Sequence, residues 1–219
     1  MRGTSLPYVV PFGVFVAVLA LRPWIPLGAF EYPLWIVVMA AVLLGFSRRV
    51  IDLRVSRLPG SVVMGVAVFV AWIGPDLLWP GYRSHWLFQN PITGGLGSSI
   101  PASLRSDALV AVSRFARAAV IVPIVEELFW RAWLMRWLIK KDFHELPLGA
   151  YSAQSFWICA VLFASEHGPH WDVGLLAGIA YNWWMVRTRS LGDCILAHAV
   201  TNACLSAYVL VAGKWEYWM

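Results

Sequence analysis

Charged residues are scarce in this chain of 219 residues: Asp, Glu, Lys and Arg make up 13%, whereas 60% of the residues are hydrophobic. A soluble domain has about 25% charged and about 45–50% apolar residues. No polar stretch is long enough to fold separately, and the sequence has no internal repeat and no low-complexity tract. The composition therefore excludes an ordinary soluble domain and predicts a single membrane domain over residues 1–219.

Cysteine is equally sparse, and its spacing excludes two common kinds of site. Cys159, Cys194 and Cys204 fall within apolar runs and have neither disulfide-framework nor zinc-ligand spacing. We interpret them as small buried hydrophobic residues. The HExxH pattern of common zinc proteases is also absent. The sequence therefore predicts no cofactor and no bound metal.

Basic residues outnumber acidic ones, which gives a net charge of +5. They concentrate in short loops between apolar runs, at 47–57, 140–141 and 187–189. Such a distribution orients spans in a bilayer and does not build a nucleic-acid surface. The three loops follow the second, fourth and sixth predicted spans, so they share one side, which the positive-inside rule makes cytoplasmic. We predict an integral protein of the bacterial inner membrane, with no nucleic-acid partner.

Long apolar runs recur along nearly the whole chain and predict an all-α, polytopic transmembrane bundle of about seven or eight helices. The fourth run is too long for one straight crossing and contains Pro123, so we expect it to divide into an interfacial helix and a span. The loop Pro80–Asp107 should be irregular and lie opposite the basic loops. The predicted spans are 6–21, 32–46, 60–79, 107–139, 152–167, 172–187 and 191–211.

Ionisable residues inside predicted spans are costly and usually mark function. Glu126 and Glu127 are consecutive, so on a helix they point about 100° apart. Glu127 and Arg131 are spaced i, i+4, in the order that favours an ion pair. Glu126 is therefore left without a local partner, as a general base in an apolar bundle would be.

Two further predicted spans carry polar groups that could join this carboxylate. His167 ends the fifth span, and His198 and Asn202 lie one turn apart in the seventh, where both could donate hydrogen bonds to an oxyanion. At 1.5 Å per residue, Glu126, His167 and Asn202 each lie roughly 20 Å from the basic side. We therefore expect one site at a common depth, nearer the non-cytoplasmic side.

Three short motifs, each on its own apolar helix, follow one another in the chain. They are EExxxR at Glu126, Glu127 and Arg131, FxxxH at Phe163 and His167, and HxxxN at His198 and Asn202. Together they resemble those of the CAAX protease and bacteriocin-processing (CPBP) family of intramembrane glutamic endopeptidases, over residues 104–210. The chain is similar in particular to the bacterial members associated with exosortase systems.

The resemblance implies a hydrolase in which Glu126 and His167 activate water while His198 and Asn202 form the oxyanion hole. Eukaryotic members act on prenylated CAAX proteins reached from the cytosol. Because the depth of this site favours the other side, the expected substrate is instead a terminal segment of a secreted or membrane-associated protein. The expected partners are thus a protein or peptide substrate and the lipid bilayer.

The remaining motif residues, Glu127 and Arg131, would have a supporting role, although a buried pair of this kind also simply locks helices together. Glu166 and His170 are interpreted as interfacial residues. Gly174 and Gly178 form a GxxxG pattern, which allows close packing of helices.

Other functions are compatible with the same residues. Glu126, His167 and His198 could ligate zinc in a metalloprotease. Cys194 precedes His198 by one turn and could form a dyad with it, although an apolar setting makes a thiol inert. A non-catalytic scaffold or immunity protein would keep the fold without the reaction, and a transporter would use the intramembrane carboxylate as a proton relay.

Overall fold

The computed structural model describes residues 4–218, without the side chain of Pro23. Over this range the regular secondary structure is helical, apart from one isolated bridge between Asn90 and Gly94. The predicted all-α bundle is confirmed. Its seven longer helices are α1 Leu6–Leu21, α2 Gly28–Ser47, α3 Leu58–Leu78, α4 Ala108–Trp137, α5 Ala153–Ser165, α6 Trp171–Thr188 and α7 Leu191–Ala212.

Four of these helices, α2, α3, α4 and α7, are long and apolar enough to cross a membrane. The helices α1 and α5 are apolar but shorter. A helix of 20 residues covers the roughly 30 Å hydrocarbon core of a bilayer. The chain is an integral membrane protein.

The expected division of the fourth run into two elements is wrong. Helix α4 continues for 30 residues from Ala108 to Trp137. It stays continuous because a π-helical segment, Arg117–Ile121, comes just before Pro123. Proline cannot donate a backbone hydrogen bond, and a turn of wider register accommodates it without ending the helix.

Helices α3 and α7 pack closely because a glycine of α3 faces the backbone of α7. Gly65 lies against Ala197 and Val200. Thr201 of α7 adds a hydrogen bond from its hydroxyl to the Gly65 carbonyl oxygen at 2.8 Å. Small residues of this kind let membrane helices pack tightly.

The three basic loops meet at one end of the bundle, as predicted. Asp193, at the start of α7, accepts hydrogen bonds from the backbone amides of Ser56 and Arg57 and from the Ser61 hydroxyl, at 2.8–3.1 Å. Gly149, after α4, packs against the carbonyl of Met185 near the end of α6. That this end is cytoplasmic stays a prediction.

The loop at the opposite end is irregular, as predicted, yet it is firmly attached. Its Arg83 is buried and forms ion pairs with Asp76 at 2.9 Å and Asp172 at 2.8 Å. Tyr217, after α7, donates a hydrogen bond to the same Asp76 at 2.6 Å. This network joins α3, α6 and the C-terminal tail, Gly213–Trp218, around one end of the bundle.

Replacing Gly65 by Ala tests the close packing of α3 and α7. The new Cβ would lie 2.4 Å from the Ala197 carbonyl oxygen and 2.6 Å from Cβ of Val200, so the helices must separate. We expect a loss of about 1–3 kcal/mol in the free energy of unfolding, measured on the purified protein in detergent. Gly74→Ala in the same helix is the control, because its Cβ meets nothing within 4 Å. Equal stability of the two variants would contradict the packing described.

Candidate active site

A cavity of about 240 Å³ opens inside the bundle, and all four residues predicted to be catalytic line it. Glu126 comes from α4, His167 from the turn after α5, and His198 and Asn202 from α7. The predicted convergence of these side chains from three separate stretches is thus present in the structure.

Glu127 connects α4 to α7 within this site. Its Oε1 accepts a hydrogen bond from Arg131 Nη1 at 3.0 Å and lies 2.9 Å from Nδ1 of His198. Glu127 and Arg131 are completely buried. The i, i+4 ion pair expected from the sequence therefore forms, and its carboxylate also sets the orientation of the His198 ring.

Arg131 is held from several sides at once. Its Nε donates to Oδ1 of Asn182 at 3.1 Å, and the Asn182 amide donates to the Phe156 carbonyl at 2.8 Å. The guanidinium lies over the ring of Phe163, 4.3 Å from its centroid. Asn182 was not among the predicted residues, although a buried amide in an apolar helix is itself a signal of interhelical bonding.

Glu126 points to the other side of the helix and does not join the ion pair of Glu127 and Arg131. Its Oε2 is buried without a hydrogen-bond partner and lies 4.0 Å from Nε2 of His198. A buried carboxylate oxygen normally has a partner, so one left open towards a cavity is a place for a water or a substrate group. The different surroundings of Glu126 and Glu127 match the 100° separation expected from the sequence.

The His167 ring is fixed by its own helix and by α6. Its Nδ1 lies 2.7 Å from the Phe163 carbonyl oxygen, which requires the proton on Nδ1 and leaves Nε2 as an acceptor. The ring packs edge-on against Trp72 at a centroid distance of 5.2 Å. Gly174 of α6 makes room for it, because a Cβ there would lie 3.1 Å from the imidazole.

One amide hydrogen of Asn202 bonds to a backbone carbonyl of α4 that has no donor within the helix. In the π register Val122 donates to the carbonyl of Arg117, so the next carbonyl, that of Ala118, would need the missing N–H of Pro123. The Asn202 Nδ2 donates to this Ala118 oxygen at 2.9 Å. One amide hydrogen and the side-chain oxygen remain for the cavity.

Residues 108–204 match the family model described as Rce1-like, type II CAAX prenyl endopeptidase. The chain carries a CAAX endopeptidase-like segment. This range contains all three motifs, and the resemblance to the CPBP family is confirmed. The family indicates protease activity. Comparison with curated proteins and with solved structures found no match. The association with exosortase systems stays a prediction.

Two residues interpreted as interfacial, Glu166 and His170, line the cavity. His170 is only 1% exposed, so the interpretation is wrong for its environment. Burial beside Arg83 lowers the pKa of His170 to about 3, so the ring is neutral. Glu166 lies at the exposed rim next to His167. Glu166 directly precedes the histidine of the FxxxH motif, so the sequence could have indicated that it lies near the site.

The cavity also extends further along α4 than the motifs predict. Arg114 and Arg117 line it, together with Tyr217 and Trp218 from the tail. The arginines could have been noticed because they are ionisable residues within the predicted span 107–139. The tail residues could not, since only the folded chain brings them beside the other helices.

The ligand sets of two alternatives are not assembled in the structure. Among residues 4–218, no three or more His, Cys, Asp and Glu side chains are grouped closely enough to hold a metal ion. The thiol of Cys194 is buried and faces the Tyr181 carbonyl oxygen at 3.8 Å. It therefore points at a backbone oxygen and not at His198.

Arg131→Leu tests whether the Glu127 ion pair holds the site together. The change leaves a buried carboxylate without its cation, and we expect it to lower the free energy of unfolding by about 3–5 kcal/mol. Denaturant unfolding in detergent measures the loss. The control is Arg49→Leu, which removes an exposed arginine. Adding Glu127→Gln to Arg131→Leu should recover part of the stability, and a double variant that is less stable than the single one would contradict this role.

Proposed function

We propose that this protein is an intramembrane glutamic endopeptidase in which Glu126 and His167 activate a water molecule. One observation carries the proposal: Oε2 of Glu126 is buried without a partner in a cavity that His167 and His198 also line. A general base must reach the proton that it abstracts, either directly or through a water. An open carboxylate oxygen between two imidazoles is suited to hold that water.

The hydrolytic step uses these groups in sequence. Glu126 takes a proton from water while Nε2 of His167 accepts the second hydrogen and orients the oxygen. The hydroxide attacks the carbonyl carbon of the substrate and forms a tetrahedral oxyanion. When the C–N bond breaks, the proton held by Glu126 passes to the leaving nitrogen.

The oxyanion is stabilised by His198 and Asn202. Nδ1 of His198 lies 2.9 Å from the Glu127 carboxylate, which fixes the ring, and the proposed role requires Nε2 to carry the hydrogen that bonds to the oxyanion. The Asn202 amide keeps one hydrogen for the oxyanion because the other bonds to Ala118. Glu127 and Arg131 act as positioning residues, which hold His198 at the angle that this step needs.

We infer that the substrate is a terminal segment of a secreted or membrane-associated protein at the bacterial inner membrane. The cavity wall includes His170 and Tyr217, which belong to the end opposite the basic loops. With those loops in the cytoplasm, the site faces the non-cytoplasmic half of the bilayer. A prenylated cytosolic substrate is not required for this geometry.

Glu126→Gln should abolish cleavage and leave the fold intact. The amide has the shape of the carboxyl group but cannot accept the proton, and general-base catalysis contributes about 10²- to 10⁴-fold. The measurement is mass spectrometry of protein termini in membrane and secreted fractions of cells with either form. Termini that depend on the wild-type protein should disappear in the variant.

The matched control is Glu145→Gln, since Glu145 is an exposed glutamate near Lys140, at the basic end of the bundle. It should leave every terminus unchanged. If Glu126→Gln also changes no terminus and retains the biological activity of the wild type, the protein is a scaffold or immunity protein. Proton flux into liposomes without peptide cleavage would identify a transporter.

Exhaustive chelation should leave the peptidase activity within about twofold of that of the untreated protein, because the proposed base acts without a metal. The test uses purified protein treated with a zinc chelator and assayed on the affected substrate. A zinc site of two histidines and a carboxylate would behave differently. Loss of activity that added zinc restores would contradict the glutamic mechanism and support the metalloprotease alternative.

A further inference from the structure

His170 is a buried histidine in the cavity wall that the proposed reaction does not use. Neither Nδ1 nor Nε2 has a hydrogen-bond partner among residues 4–218. A buried polar atom normally has one, because without it the bond that water would have made is lost and nothing replaces it. The fold therefore keeps an imidazole with two open hydrogen-bonding positions in the same cavity as the proposed catalytic groups.

The His170 ring is held in place by contacts that do not use its nitrogens. It stacks on Trp72, with a centroid distance of 6.3 Å and an angle of 18° between the rings. Tyr217 of the tail packs against it at a centroid distance of 5.3 Å. Aromatic contacts of this kind fix the plane of the ring, whereas its hydrogen-bonding atoms lie at the edge. The two nitrogens are therefore available to a ligand.

The backbone of His170 is fixed relative to that of His167. The turn Gly168–His170 is a 3₁₀ turn, and the His170 amide donates to the His167 carbonyl oxygen at 2.9 Å. Nη1 of Arg83 holds the turn with a hydrogen bond to the Pro169 carbonyl oxygen at 2.7 Å. At about 2 Å per residue, the three steps from one histidine to the other cover roughly 6 Å. This is the length of about two residues of an extended peptide.

The imidazole of His170 is neutral, and this decides what it can bind. Burial, together with the charge of Arg83, holds its pKa near 3. A neutral imidazole has one N–H donor and one acceptor, so it suits a partner that offers both functions without a charge. A metal ion would need further ligands, and no group of three or more His, Cys, Asp and Glu side chains in the described part of the chain supplies them. A peptide main chain offers an N–H and a C=O at almost every residue.

We propose that His170 binds the main chain of the substrate near the scissile bond and so helps to hold the peptide in the cavity. This inference rests on the proposed endopeptidase function. Since His167 acts at the scissile bond, the spacing of the two histidines puts the bound peptide group about two residues away from that bond. The contact involves the main chain, so it is the same for substrates of different sequence. His170 takes no part in proton transfer.

His170→Phe removes both nitrogens and keeps an aromatic ring to stack on Trp72. Without peptide, the melting temperature of the variant in detergent should equal or exceed that of the wild type, because the free protein loses no hydrogen bond. His144→Phe, at an exposed histidine near the basic end, is the matched control. A lower melting temperature for both His170→Phe and His170→Asn, with peptide binding unchanged, would show a purely structural role and overturn the inference.

Peptide binding is measured in protein that cannot cleave. Glu126→Gln protein in detergent is mixed with a library of apolar decapeptides, and the shift of its melting temperature with peptide concentration gives the affinity. Adding His170→Phe should weaken binding by about three- to tenfold, the effect of losing one hydrogen bond between neutral groups. His170→Asn keeps a donor and an acceptor and should retain part of the affinity, and His144→Phe should retain all of it.

An ester scan of the bound peptides locates the contact. An ester in place of one backbone amide lacks the N–H, and its carbonyl is a weaker acceptor. At the contacted position this change should weaken binding to the Glu126→Gln protein, and it should cost clearly less when His170→Phe is also present, because both changes remove the same contact. Additive effects at every position of the peptide would overturn the assignment to the main chain.

Cleavage of the same library separates this inference from the proposed function. Relative to the wild type, His170→Phe should raise KM by about three- to tenfold and leave kcat within about twofold, because the contact is the same before and during the reaction. If the wild type cleaves and His170→Phe binds peptides equally well, water alone occupies this position, and the inference is overturned while the endopeptidase function stands. A fall in kcat at unchanged KM would overturn it as well. If peptides bind through His170 and nothing is cleaved, the endopeptidase function fails and the peptide site remains.

Discussion

The site depends on one carboxylate that Arg131 and His198 share. Glu127 accepts from Arg131 on its own helix and faces His198 on α7, so it joins the two helices that carry most of the polar groups. Because Glu127 pairs with Arg131, the arginine does not bind the neighbouring Glu126, whose Oε2 has no hydrogen-bond partner and faces the cavity. In the proposed mechanism, Glu127 therefore holds the structure of the site and Glu126 carries out its chemistry.

Helix α4 departs from regular α geometry in two segments. The segment Arg117–Ile121 widens the turn before Pro123, and Leu128–Leu134 widens it again after the glutamates. The first departure frees the Ala118 carbonyl, which Asn202 then binds. Arg117, the first residue of the same segment, lines the cavity. A regular helix of the same sequence would leave a carbonyl unpaired opposite Pro123.

Much of the architecture could be predicted from the sequence, because apolar runs and motif spacing are local properties. The seven helices lie where the runs predicted them, and the i, i+4 rule predicted the pair of Glu127 and Arg131. The continuity of α4 could not be predicted, since a π turn that accommodates Pro123 has no simple sequence signature. The tail residue Trp218 was missed because its role depends on contacts between distant segments. Asn182 could have been noticed as an amide in an apolar helix, but its partner Arg131 could not be identified from the sequence.

The GxxxG pattern of α6 has a consequence for assembly. In many membrane helices two glycines spaced in this way mark the face on which a second copy docks. Here Gly174 packs against His167 and Gly178 against the Ala160 backbone. Both glycines are therefore buried in contacts within one molecule and are not available to a second copy. The opposite face of α6 carries the exposed side chains of Leu176 and Trp183. Self-association through α6 would therefore use that bulky face. A substitution at Gly174 would act on the His167 ring, and one at Gly178 on the packing of α6 against α5.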